Sequence, residues 1–126
     1  MDTKAENAAE NSVIAPPKPE ITYDDFTKLD LRIGTIVEAE KVAKTAKLLK
    51  LIVDTGFDKR TVVSGIAEHY SPEQIIGQKV VLLANLAPLN LKGIESKGMI
   101  LMAENKEGKL CFVSPTEAFG NGSEVR

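Results

Sequence analysis

Short apolar segments of two-residue period, each closed by a turn signal, decide what this chain can fold into. From Leu31 the side chains of Leu31, Ile33, Val37 and Ala39 share one parity, while Arg32, Glu38 and Glu40 fall mostly on the other. That alternation predicts a half-buried strand, and Gly34 within it predicts a bend or bulge. Leu49, Leu51 and Val53 repeat the pattern up to the turn Asp54-Thr55-Gly56, and a third segment covers about Arg60 to Ile66. "KVVLLANL" (79–86) is a continuous apolar fourth strand and "GMILMA" (98–103) a fifth; "LCFV" (110–113) hairpins back onto it across the turn-like "ENKEGK". Between the third and fourth segments, "SPEQIIG" (71–77) offers Ser71 as a cap, Pro72 at the first helical position and Gly77 as a stop. Thr22 and Asp25 form a capping-box pattern for a short helix over Tyr23 to Lys28.

Five strands with one short helix between strands 3 and 4 is the element order of an all-β OB-fold, a five-stranded Greek-key barrel, here with small terminal extensions. SH3-like barrels have similarly spaced strands. Residues 1–20, "MDTKAENAAENSVIAPPKPE", have no sustained apolar period and end in three prolines within four positions, which predicts a disordered linker or tail. Residues 21–126 form the domain, and 126 residues supply one core rather than two. No apolar run approaches the roughly 18 residues that span a bilayer, and no secretory signal order opens the chain, so no membrane partner and a cytoplasmic location are expected.

Several chemistries lack their residues. One cysteine, Cys111, and one histidine, His69, exclude a disulfide framework and zinc sites built on those side chains. His69 in "AEHYSP" has no nucleophile motif beside it and reads as a solvated loop residue; Cys111 reads as a small core hydrophobe. Asp24–Asp25 and Glu38–Glu40 read as surface charges at a helix start and on a strand exterior. Gly93 and Gly98 have the spacing of a P-loop, but Met99 stands where the lysine is needed and no hydroxyl follows. No catalytic role and no cofactor are expected.

Charge is more informative. The formal net charge is −2, from 16 basic and 18 acidic residues. Two of the bases and four of the acids fall in residues 1–20, which leaves fourteen of each sign in 21–126. A neutral domain still presents a basic face when its charges are segregated. Lys41, Lys44, Lys47 and Lys50, then Lys59 and Arg60, then Lys92 and Lys97 make three basic groups. In an OB-fold the loops between strands one and two and between four and five flank the binding face, which would bring Lys44 and Lys47 near Lys92 and Lys97. The alternative is a set of separately solvated lysines.

"DLRIGTIVEAEKV" (30–42), "KLLKLIVDTG" (47–56), "RTVVSGI" (60–66), "IIGQKVVLLANLAP" (75–88) and "GIESKGMIL" (93–101) together resemble the tRNA-binding domain that bacterial methionyl-tRNA synthetases carry at their C-terminus. The same domain occurs in free-standing tRNA-binding proteins. The resemblance covers about residues 21–126, with Ser64-Gly65, "NLAP" (85–88) and Ser96-x-Gly98-Met99 as its most specific parts. It implies an OB-fold, structure-selective tRNA binding without catalysis, and homodimerisation, in a chain that is either free-standing or joined to a synthetase body. The implied binding face includes Ser96 and Met99, with Lys92, Asn85 and Arg60 nearby and Lys97 adding charge. Ser96 would donate to a phosphate or ribose; Met99 either touches RNA or packs in the barrel. The chain departs from the family's His-Pro and Ala-Asp after the first strand, reading "VAKTAKLL" (42–49). A related branch resembles an export-associated, peptide-binding chaperone whose equivalent loop reads Asn-Phe-Pro-Pro and then Ser-Glu; "NLAP" and "SKGM" side with the tRNA branch. For the dimer the candidates are Tyr23, Phe26, Leu29, Phe119 and Val125, apolar residues outside the five-strand core.

Overall fold

One long strand, β1 (Leu31–Lys41), organises the sheet by changing partners along its length. The computed structural model describes residues 15–126. The first half of β1 pairs antiparallel with β4 (Lys79–Leu83), from Leu31 opposite Leu83 to Thr35 opposite Lys79. Its second half pairs with β2 (Leu49–Asp54), from Thr35 opposite Asp54 to Lys41 opposite Leu49. A strand shared in this way curls the sheet toward closure. The register slips between Ile36 and Glu38, so the bulge expected at Gly34 falls instead at Val37. Gly34 serves a close approach: a Cβ there would lie 2.8 Å from Val53 Cγ1 and 3.1 Å from the Asp54 carbonyl oxygen.

The bulge also corrects the expected single parity of β1. Leu31 and Ile33 pack with Val81 in an outer layer, whereas Ile36 and Ala39 join the main core. That core holds Ile36, Leu49, Leu51, Val53, Val62, Ile66, Ile75, Val80, Leu82 and Ile100. β4 is apolar from Val80 to Leu83 because both of its faces are covered, Val80 and Leu82 inside the barrel and Val81 and Leu83 beneath the outer layer.

β3 (Lys59–Ser64) pairs with β2, and α2 (Pro72–Ile75) then crosses to β4, burying Ile75. Ser71 stands at the N-cap as expected, and its N donates to Gln74 Oε1 at 2.7 Å. The expected fifth strand is broken in two. β7 (Met99–Ile100) pairs with β4, while β8 (Met102–Glu104) pairs with β9 (Leu110–Phe112) in the expected hairpin. The resulting order, β3-β2-β1-β4-β7, is closed where Lys97 N donates to Thr61 O at 2.9 Å across the free edge of β3. The fold is an all-β, OB-like curled barrel.

The terminal segments attach to this barrel. In α1 (Tyr23–Thr27) the capping box forms in full: Asp25 N donates to Thr22 Oγ1 and Thr22 N to Asp25 Oδ2. β10 (Glu124–Val125) adds a sixth strand to the sheet beside Leu31 and Arg32. Of the expected linker, residues 1–14 lie outside the described residues, and 15–20 are exposed without regular structure. Among the described residues no helix is long and apolar enough to cross a membrane.

Candidate functional site

The stretch from Leu89 to Ser96 is an ordered hairpin, β5 (Leu89–Leu91) and β6 (Ile94–Ser96), rather than an open connection. Its two turn residues, Lys92 and Gly93, both have positive φ, 54° and 84°, the backbone of a two-residue turn whose twist matches the flanking strands. Asn90 Oδ1 accepts from Gly93 N at 3.0 Å and braces the turn.

Between this hairpin and β3 lies a groove of about 510 Å³. Four basic side chains line it, Lys50, Lys59, Arg60 and Lys97, with two carboxylates, Asp58 and Glu95. The carboxylates are engaged. Asp58 takes both Nε and Nη2 of Arg60, at 3.2 and 2.9 Å, and Glu95 faces Lys97 at 3.8 Å. The Arg60 hydrogen bond, with help from the Thr55 hydroxyl and the charges of Arg60 and Lys97, holds the Asp58 carboxyl below its ordinary value against the opposing effect of burial. Lys50 and Lys59 have no carboxylate within ion-pair distance among the described residues, so their charge is available to an anion.

The residues expected at the site divide by what they touch. Lys92 and Lys97 are exposed on and beside the hairpin. Met99 is 51% exposed, which excludes the alternative of packing in the barrel. Lys44 and Lys47 are exposed in the β1–β2 loop but do not line the groove. Ser96, expected to donate to RNA, is only 4% exposed; its Oγ accepts from Val63 N at 2.9 Å and so joins β6 to the edge of β3. Arg60, with 15% of its side chain exposed, also donates to the carbonyls of Ala84 (2.8 Å) and Lys97 (3.4 Å) across the barrel mouth. Asn85 accepts from Asp30 N at 2.9 Å and donates to Lys28 O at 2.7 Å, anchoring the segment after α1. Lys50 and Lys59 were not among the expected site residues. The period of β2 carries the signal for Lys50, whose parity is opposite to the buried Leu49, Leu51 and Val53.

A curled barrel with a basic groove between its third strand and the hairpin before β7 fits an OB-like nucleic-acid-binding class. The chain belongs to the family described as "Putative tRNA binding domain", which it matches over residues 31–124. It is 58% identical over 124 residues to a methionine–tRNA ligase of Cytophaga hutchinsonii, a match covering 98% of this chain and 18% of that enzyme. To the methionine–tRNA ligase of Christiangramia forsetii it is 62% identical over 115 residues, covering 91% of this chain and 17% of the enzyme. The chain thus spans less than a fifth of the length of these curated relatives. Among solved structures, a MetRS-related protein from Pyrococcus horikoshii is 38% identical with a TM-score of 0.81, covering 86% of this chain and all of that one. The chaperone CsaA from Bacillus anthracis is 28% identical with a TM-score of 0.78 over the same shares.

Proposed function

We propose that this domain binds tRNA by shape and charge, without catalysing a reaction, with the phosphate backbone running along the groove between β3 and the β5–β6 hairpin. The observation that carries the reading is the pair of cations without an ion-pair partner among the described residues, Lys50 and Lys59, on the groove wall of a tRNA-binding family member. Lys97, and beyond the groove Lys92, Lys44 and Lys47, extend the positive surface, and exposed Met99 supplies an apolar contact. The high identity to a segment of methionine–tRNA ligases supports a role as part of such a synthetase, or as a free-standing equivalent; the proposed setting is the cytoplasm and the proposed form a homodimer. The similarity to a CsaA chaperone supports a second reading, peptide binding. The charged lining of the groove favours the first.

Salt dependence of binding to unfractionated tRNA tests this directly. Changing Lys50 and Lys59 together to Ala removes up to two phosphate contacts, which flattens the slope of log K against log salt by about 1 to 2 units. An unchanged slope places the RNA elsewhere. Affinity for an unfolded peptide that tRNA does not displace favours the second reading.

A further inference from the structure

Phe57 stands at the tip of the β2–β3 turn with 56% of its surface open to solvent. The turn beneath it is rigid. Thr55 is fully buried; its hydroxyl donates to Asp58 Oδ1 at 2.7 Å and accepts from the backbone N–H groups of Phe57 (3.4 Å) and Asp58 (3.0 Å). Gly56, at φ +91°, is pressed so closely against the C-terminal segment that a Cβ would lie 2.5 Å from the Asn121 carbonyl oxygen. The ring is therefore held in place on a fixed backbone.

Two guanidinium groups flank the ring, Arg60 at 5.5 Å from its centroid and Arg32 at 5.7 Å. Both are anchored elsewhere, Arg60 by Asp58 and two carbonyls, Arg32 by Asp30 and the Gly122 carbonyl. With 56% of its surface open to solvent, Phe57 is not enclosed by these two cations and the groups that anchor them. The next three residues, Asp58, Lys59 and Arg60, line the basic groove.

Single-stranded and looped nucleic acid is held where bases stack on aromatic rings beside a cationic track for the backbone. We propose that Phe57 is such a platform: an unpaired nucleobase of the bound RNA stacks on its open face while the adjoining phosphates lie against Lys50 and Lys59. This rests on the tRNA-binding reading and extends it from phosphate contact to base contact. Guanidinium groups draw electron density from the ring, which favours an electron-rich purine as the stacked base.

Two substitutions separate stacking from simple cover of the arginines. F57L retains apolar bulk without a π-face, and F57W retains the face. The chain has no tryptophan, so F57W also places a single indole reporter at the site. F57L is expected to weaken tRNA binding by about 5- to 100-fold with its salt slope unchanged. F57W is expected to bind like the unsubstituted chain, with fluorescence quenched by tRNA and not by inorganic polyphosphate. Unchanged affinity in F57L, equal losses in F57L and F57W, or quenching by polyphosphate alone overturns the platform while leaving the groove intact. Failure of the unsubstituted chain to bind tRNA overturns both. Should F57L fail to fold, the F57W fluorescence still decides.

Discussion

Ser96 shows how a side chain within a recognisable binding turn can belong to the fold instead. The N–H of Val63 sits on the free edge of β3, and Ser96 Oγ, buried beside it, is the acceptor that satisfies it; the same hydroxyl lies 3.4 Å from the Gly98 carbonyl oxygen. Removing the oxygen leaves a buried donor unpaired, at a cost of about 1–3 kcal/mol. S96A is therefore expected to lower stability by that amount in urea denaturation while leaving the salt slope of tRNA binding unchanged. A fully stable S96A with weakened binding would return Ser96 to the RNA face. Arg60 and Asn85 follow the same physics, since their donors and acceptors are engaged by backbone groups at 2.7–3.4 Å. The family resemblance singled out these positions; which backbone groups they engage depends on which strand edges and segments meet, and that is a property of closure rather than of local pattern.

At the scale of elements, the β5–β6 hairpin is where local signals were weakest. A two-residue turn with both φ values positive favours Asn-Gly or Asp-Gly, and here Lys92 occupies the first place at φ +54°. A lysine there is strained relative to asparagine, which tolerates the left-handed region. K92N is expected to raise the thermal midpoint slightly, and to flatten the tRNA salt slope by up to about one unit if Lys92 meets a phosphate. A lowered midpoint would show that Lys92 has a packing role. By contrast β2, β3, α2 and both helix starts were legible, because period-two alternation and capping residues act within a few positions. The bulge at Val37 was not. It brings Ala39 onto the core face of Ile36, although Leu31 and Ile33, of the same parity as Ala39, face the outer layer, and only the assembled sheet imposes that switch of faces.

For the whole molecule, the terminal segments pose an energetic problem that a second copy would resolve. α1 has five residues and buries none of them, too short to hold its conformation by helical hydrogen bonds alone. Tyr23, Phe26 and Leu29 are exposed, and with Glu124, Val125 and Arg126 they line a cleft of about 180 Å³. An adjoining groove of about 430 Å³, sharing Glu124 to Arg126, adds Ile33, Val81, Pro115 and exposed Phe119. Val125 itself packs partly against the outer layer and joins the two clefts. A surface of this kind is suited to an isologous contact in which each copy covers the other's termini. Pairing would also present two basic grooves to one tRNA, making the second engagement intramolecular. Sedimentation equilibrium at micromolar concentration is expected to give twice the chain mass. F26D or F119D, each placing a carboxylate in the apolar contact, is expected to shift the mass toward the monomer and weaken tRNA binding, with both barrels still folded. A monomer mass for the unsubstituted chain, at full tRNA affinity, would reject the interface and the advantage attributed to it together.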